Sequence, residues 1–398
     1  MKHIGPDAAA TPSVRPRFEV ADVFAAHGET YRQRHRLSGD QHKAMRDIVA
    51  CRTAVLGGHL DVCPTGDFSR PSYNSCRNRH CPKCQSLAQA RWIEARIARL
   101  LPVHYFHCVF TLPQELRSVA KRNPKVVFDL LFAAASATLL DLGHDEARLG
   151  AQLGITTVLH TWTRKLTFHP HLHCIVTGGG LTESQNRWIA ANRRYLFPVK
   201  VMAKLFRGKF IDALRRALRQ GKLALDGTDL AAPGAFARCI DKLYATNWVV
   251  YSKAPFLSAE HVIRYLGRYT HRVAISNQRI QAFDGRTVRF ATKGGDTATL
   301  AAEEFIRRFL LHILPSRFSK IRHYGLHAAS NAKTKLAVAK QLLDAHAEDP
   351  QPAPISAAPT FRELLTRLTG VDPLQCPVCG TFMQRHPLPR APPLRSAA

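Results

Sequence analysis

"LTFHPHLHCIVTGGG", residues 166–180, sets three histidines within five residues and closes on three glycines. Read as a β-strand, it sends successive side chains to opposite faces, so His171 and His173 point one way and Leu172 the other. Leu172 then packs toward a core, while two imidazoles project together from a rigid sheet. Neutral imidazole is a common ligand for divalent ions, and two such ligands leave room for a third protein group and for substrate oxygens. An isolated pair would read as surface histidines, since the chain carries 20 of them. The surroundings must decide.

Those surroundings alternate strands and helices. "VHYFHCVFTL" (Val103–Leu112), "GITTVLHTWTRKL" and "WVVYSKAPF" are β-branched and aromatic, the composition of strands. "GDQHKAMRDIVACR" reads as a helix with Asp40 as its N-cap, and "SLAQARWIEARIARLL" as another. A third is expected over about Pro124–Leu142. In "KVMAKLFRGKFIDALRRALRQG", Val201, Leu205, Ile211, Leu214 and Leu218 fall on one helical face. "SAEHVIRYLGRYTHR" is a helix capped by Ser258, with Glu260 in its first turn. "RVAISN", "RIQAFDG" and "TVRFAT" form a meander with Asp284-Gly285 at a hairpin turn, and a helix follows over Ala301–Leu314. This order gives an α+β fold, an antiparallel sheet with helices packed on it.

Composition narrows the function. The chain has 398 residues, 45% of them hydrophobic, enough for a sizeable core. Lys plus Arg exceed Asp plus Glu by 57 − 29 = 28, a surplus that points to a polyanionic partner, nucleic acid first. A membrane surface is the competing polyanion. The longest apolar run, around Leu130–Leu140, is flanked by Asp129 and Asp141 and reads as a buried helix. The first residues lack the apolar core of a signal peptide, so a cytoplasmic protein is expected.

The tyrosines strengthen the histidine reading. In "YLGRYTHR", Tyr265 and Tyr269 sit at i,i+4 and share a helix face, and Arg264, Arg268 and Arg272 follow the same spacing. Such a pair is usually a core stripe, but a core face is seldom interleaved with arginine. A phenol among guanidinium groups and beside a metal suits attack on a phosphodiester: positive charge lowers its pKa from about 10 and neutralises the phosphate.

"HPHLHCIV", "WVVYSKAPF", "YLGRYTHRVAISN" and "RHYGL" resemble the two-tyrosine HUH transposases of bacterial insertion sequences, the insertion-sequence-91 type. The resemblance runs from about Cys51 to Asn331. It implies an HUH endonuclease sheet with flanking helices, preceded by a small zinc-binding domain. His171 and His173 would hold Mg²⁺ or Mn²⁺, with His160, His169 and His271 as candidates for a third ligand. Tyr265 and Tyr269 would cleave single-stranded DNA at transposon ends, leave 5′-phosphotyrosine links and a free 3′-OH, and pass strands to target DNA by a rolling-circle route. Arg264, Arg268 and Arg272 would contact the DNA. A bacterial, nucleoid-associated location and no membrane partner follow.

Cysteines mark a second chemistry. Five of the ten lie between Cys51 and Cys84, in a Gly-, Pro-, Ser- and Asn-rich stretch with little apolar content. Cys76, Cys81 and Cys84, with Cys63, supply four thiolates, enough for tetrahedral Zn²⁺, which would order the segment. The family's zinc-binding domain commonly opens on a C-x2-C pair, yet here Gly66 stands where the second cysteine would fall. Cys51, His59 or His80 could supply the missing ligand. "CPVCG" (Cys376–Gly380) is half of a zinc knuckle, with His386 as a further donor. Cys108, Cys174 and Cys239 are isolated and expected in the core.

The basic surplus is concentrated. Lys200–Arg219 carries seven basic residues and one acid, and 305–343 has no Asp or Glu. Acid-free runs repel themselves unless a polyanion neutralises them, and nearby aromatics could stack on unpaired bases. The expected organisation is an irregular segment 1–40, a zinc-binding domain 41–102, a catalytic domain 103–330, and 331–398 with a helix, a Pro-rich linker and the CPxC tail. Two other readings remain at this level: a replication initiator or relaxase with the same nicking chemistry, and a non-catalytic zinc-dependent DNA-binding protein.

Overall fold

The computed structural model describes residues 16–66, 68–253, 263–264, 267, 273–345 and 360–392. Contacts divide the chain into two units: Met1–Glu94 with His271–Ile313 and Ile355–Ala398, and Ala95–Thr270 with Leu314–Pro354.

In the first unit, helices α1 (Val20–Arg34) and α2 (Gly39–Ala50) lead into a hairpin of β1 (Gly58–Val62) and β2 (Ser69–Tyr73), followed by the start of α3 (Ser86–Ile97). The N-cap of α2 is Ser38, not Asp40. The Ser38 side chain accepts from the Gln41 backbone N–H, and the Gln41 side chain accepts from the Ser38 N–H. This reciprocal box satisfies two donors at once, which one residue further on cannot do. Asp40 sits instead in the first turn, where its charge suits the helix dipole.

The second unit is built on an antiparallel sheet. Its strands are β3 (Tyr105–Thr111), β4 (Gln152–Trp162), β5 (Phe168–Leu181), β6 (Trp188–Ala190), β7 (Val250–Lys253) and, later in the chain, Ile321–Gly325. β5 lies between β4 and β3; Ile321–Gly325 flanks β4, β7 flanks β3, and β6 pairs with the far end of β5. α4 (Arg117–Arg122) and α5 (Pro124–His144) follow β3. Pro124 occupies the first turn of α5, where its missing N–H costs nothing. α5 buries Phe128, Leu131, Phe132, Ala135, Leu139 and Leu142. Among the described residues it is the one helix long and apolar enough to cross a bilayer by length and composition, and most of it is buried inside the protein.

α6 (Val199–Arg219) buries Met202, Phe206, Phe210, Ile211, Leu214 and Ala217; Ile211 and Leu214 are as expected, while the rest of the stripe is rotated and Leu205 is exposed. Aromatic packing sets the rotation. Phe206 meets Phe110 at 5.0 Å and Trp248 at 5.1 Å, edge to face. α7 (Ala235–Ala245) precedes β7. Phe110 is paired in register with Leu172, and Phe168 lies near Phe128 of α5, so α5 and α6 pack on the Leu172 side of the sheet. The glycines of the opening stretch have steric work: a Cβ at Gly178 would lie 2.2 Å from the His104 ring, and Gly179 has φ +149° beside the Ile189 carbonyl.

The meander belongs to the first unit and differs in composition from expectation. Its strands are β8 (Ile280–Phe283), β9 (Thr287–Ala291) and β10 (Thr297–Ala301), in order β10-β9-β8. The described part of "RVAISN" forms no strand; the third strand is "TATLA". The turn is as read: Asp284 accepts from the Arg286 and Thr287 backbone N–H groups, and Gly285 has φ +85°. α8 (Ala302–Leu310) follows, shorter than 301–314, and Phe309 packs edge-to-face on Phe24 of α1 at 5.3 Å. In chain order β11 (Ile321–Gly325) returns to the other sheet, and α9 (Lys335–Asp344) comes next. α10 (Phe361–Thr369) and β12 (Gln384–Leu388) complete the first unit, with β12 pairing antiparallel to β1.

Candidate metal centre

β5 alternates as expected: Leu172 is fully buried, while His169, His171 and His173 point to the opposite side. The pairing with β4 sets His160 directly across from His171. Facing residues of an antiparallel pair share a sheet face, so the fold gathers His160, His171 and His173 together. One ring nitrogen from each lies within 4.8 Å of the others. Ring centroids are 4.3 Å (His160–His173), 4.9 Å (His171–His173) and 5.5 Å (His160–His171) apart. Of the three candidates for a third ligand, His160 joins the pair. The His169 ring instead faces Arg117, whose guanidinium lies 3.1 Å from Nδ1. His271 lies outside the described residues.

Backbone and side-chain partners orient the rings. His171 Nδ1 donates to the His169 carbonyl at 2.7 Å, which leaves Nε2 as a free lone pair. His173 Nδ1 lies 2.8 Å from His107 Nε2 on β3. If Nδ1 of His173 donates there, its Nε2 is also available. No local pattern in the sequence marks His107 as a member of this group. The pairing of Val109 with His173 puts it one step along the same face, information only the register carries.

Burial keeps these imidazoles neutral. It pushes His107 and His171 down to about 4, and His160 and His173 well below the usual histidine range. The charged neighbours are basic: Lys253 near His107, Lys320 near His160, Arg117 near His169. Three convergent neutral imidazoles in a positive setting fit a divalent cation that meets an anionic substrate.

The cysteines regroup. Cys51, Cys76, Cys81 and Cys84 form one cluster, their sulfurs all within 4.8 Å of one another. Cys51 caps the end of α2, and its sulfur accepts from the Cys76 backbone N–H at 3.5 Å. Four thiols at one point, in a loop-rich segment, fit Zn²⁺. Cys63 is not among them: it lies past β1 and joins Cys376 and Cys379. His80 hydrogen-bonds Asn78 and His59 faces Asp61, so neither completes the cluster. Cys108 and Cys174 are buried across from one another on β3 and β5, and Cys239 is buried on α7.

Tyr265, Tyr269, Arg268 and Arg272 lie outside the described residues. Of that segment, residues 263, 264 and 267 are helical; Ile263 and Gly267 are buried and Arg264 is exposed.

A family model described as "Putative transposase" matches residues 154–335, which contain all three clustered histidines. A second, "Transposase zinc-binding domain", matches residues 23–112, which contain the four-cysteine cluster. "Putative transposase y4qJ" of Sinorhizobium fredii is 44% identical over 370 residues, 91% of this chain and 92% of that protein. The chain belongs to the insertion-sequence-91-type transposases. "Transposase for insertion sequence element IS801" of Pseudomonas savastanoi pv. phaseolicola is 28% identical over 351 residues, 84% of this chain and 81% of that protein. No solved structure matches this transposase.

Proposed function

We propose that this transposase is a metal-dependent HUH enzyme that cuts and rejoins single-stranded DNA at the ends of its element through 5′-phosphotyrosine intermediates, by a rolling-circle route. The observation that carries the reading is the cluster of His160, His171 and His173 on β4 and β5. A divalent ion held there would neutralise the scissile phosphate. The ion in this reading is Mg²⁺ or Mn²⁺, both of which would complete their coordination with water and phosphate oxygens beside the three imidazoles.

Tyr265 and Tyr269 are the nucleophiles in this reading. A phenol oxygen forms a bond to phosphorus as the P–O3′ bond breaks, and the phenol proton ends on the departing 3′ oxygen. The reaction exchanges one phosphodiester for another, so rejoining needs no external energy source. Lys253, exposed on β7 beside His107, would in this reading bind and orient the strand. On α6, Arg207 and Arg215 both sit 5.6 Å over the Tyr244 ring, which is partly exposed, a platform suited to an unpaired base.

The test is incubation with single-stranded element ends and Mn²⁺, followed by a denaturing gel. A protein–DNA adduct is expected from the native chain and none from the Tyr265→Phe/Tyr269→Phe double variant, which should still bind DNA. His171→Ala and His173→Ala should also abolish the adduct. An adduct from the double Phe variant would overturn the tyrosine assignment. DNA binding with no adduct under any metal would favour a non-catalytic DNA-binding role.

A further inference from the structure

Two turns meet at one end of the small sheet in the first unit. β1 runs into Cys63-Pro64-Thr65-Gly66, and "CPVCGT" precedes β12. β1 and β12 are antiparallel, with Val62 opposite Gln384 and Gly58 opposite Leu388. The residue after β1 and the turn before β12 therefore lie at the same end of the ladder. The second turn is closed by Cys376 N–H donating to the Thr381 carbonyl (2.9 Å) and Gly380 N–H to the Cys376 carbonyl (2.9 Å). Gly380 has φ +75°, a conformation that favours glycine. Asp61, 2% exposed, fastens the two segments: it accepts from Arg385 Nε at 2.8 Å, and Arg70 lies 3.5 Å away and donates to the Pro373 carbonyl.

This frame brings three sulfurs together. Cys63 Sγ lies 3.4 Å from Cys379 Sγ, and the Cys376 sulfur is within 4.8 Å of both. Sulfurs around tetrahedral zinc, at about 2.3 Å from the metal, stand about 3.8 Å apart. The observed spacing is close to that and far from a disulfide, at about 2.05 Å. A disulfide would also strand the third cysteine. The Thr65 hydroxyl lies 3.5 Å from Cys63 Sγ and 3.4 Å from Cys379 Sγ. Gly66 borders the same spot: a Cβ there would lie 4.0 Å from Cys63 Sγ, with nothing nearer.

We propose that Cys63, Cys376 and Cys379 bind a second Zn²⁺, separate from the four-cysteine cluster, that clasps the C-terminal segment onto the β1–β2 hairpin and keeps one coordination position open beside Thr65. Structural zinc sites are usually closed by four protein ligands. Among the described residues no fourth donor joins these three sulfurs, and Gly66 occupies the place from which a fourth thiolate could come, so the fourth ligand is assigned to water or an exchangeable solute. The ion should therefore exchange faster than the one at Cys51, Cys76, Cys81 and Cys84.

The test is zinc content of the full chain, purified under reducing conditions. Two ions per chain are expected, one per cysteine cluster. Cys376→Ser/Cys379→Ser should lose one ion, and Cys81→Ser/Cys84→Ser the other. Mass-spectrometric alkylation of the native chain needs no variant to fold: zinc should shield Cys63, Cys376 and Cys379 as a set, and a brief chelator pulse should expose that set first. Gly66→Cys should slow its release. One ion per chain in the native protein, or alkylation of Cys376 and Cys379 at the same rate with and without zinc, would overturn the proposal. So would a Cys63–Cys379 disulfide with no second ion.

Discussion

At the scale of single residues, spacing told which side chains could act together only where the chain is regular. His171 and His173 are two apart on one strand, and the period of a strand puts them on one face wherever that strand goes. His160 was a candidate among three because its position depends on how β4 and β5 are registered, which no local pattern states. Sequence proximity groups Cys63 with Cys76, Cys81 and Cys84, yet the β1–β12 pairing carries it to Cys376 and Cys379, more than 300 residues away. His107 had no signal of its own. Its ring lies 2.8 Å from His173 Nδ1 and is stacked on it, with centroids 5.0 Å apart. In the proposed centre it would be a positioning residue: by accepting from His173 Nδ1–H it would leave Nε2 of His173 for the metal. Groups in this role are typically worth about 10–100-fold in metal affinity. His107→Phe should keep the fold and weaken Mn²⁺ binding by about that factor, and His107→Gln, whose amide oxygen can still accept from Nδ1–H, should recover part of it. Titration of Mn²⁺ by electron paramagnetic resonance reads both. Native affinity in the Phe variant would mean His107 only fills space.

At the scale of elements, the strands were legible because their β-branched and aromatic runs coincide with alternating burial, and α5 because it is apolar nearly all round. The face of α6 was legible only at Ile211 and Leu214, since helical period alone allows several apolar stripes and the Phe110, Phe206 and Trp248 rings chose one. The sheet also carries an electrostatic consequence. Burial pushes His107, His171 and His323 down to about 4 and His327 to about 3. His323 on β11 is held by Thr156 (3.0 Å) and Arg96 (3.1 Å), and His327 by Thr156 (3.1 Å). Each stays neutral in the folded chain, while an unfolded histidine protonates near 6.5. Above about pH 6.5 both states are neutral and nothing is lost. As pH falls from about 6.5 toward about 4, the unfolded chain gains protons that the folded one does not, so stability falls. The slope is roughly 1.4 kcal/mol per pH unit for each such histidine. Thermal melts of the apo-protein between pH 7.5 and 5 should show a Tm that is flat above about 7 and drops below 6.5. A Tm that stays level down to pH 5 would contradict the burial of these rings.

At the scale of the whole molecule, the sequence reads as a succession of domains, but compactness follows apolar partners and not chain order. Residues 271–313 stand between β7 and β11, and both of those strands belong to the larger sheet. Yet their contacts group them with the N-terminal helices. The reason is visible in the side chains: Phe24 of α1 packs on Phe309 of α8, Phe305 of α8 on Phe290 of β9, and the Val20 N–H donates to the Asn277 side chain. Each of these elements is amphipathic, and an amphipathic face does not announce which other face it meets. A fragment of residues 100–340 would therefore keep the histidine-bearing sheet but strip α1 from α8. Phe24, Phe305 and Phe309 are buried in the full chain. Losing the partner of such a face exposes large apolar side chains, each about 1.5–3 kcal/mol to bury. The fragment should bind an apolar dye such as ANS more strongly than the full chain and associate with itself, while retaining Mn²⁺ binding at His160, His171 and His173. Restoring residues 16–94 in trans should suppress the dye signal. A fragment that is monomeric and as dye-silent as the full chain would show that 271–313 packs independently of the N-terminal helices.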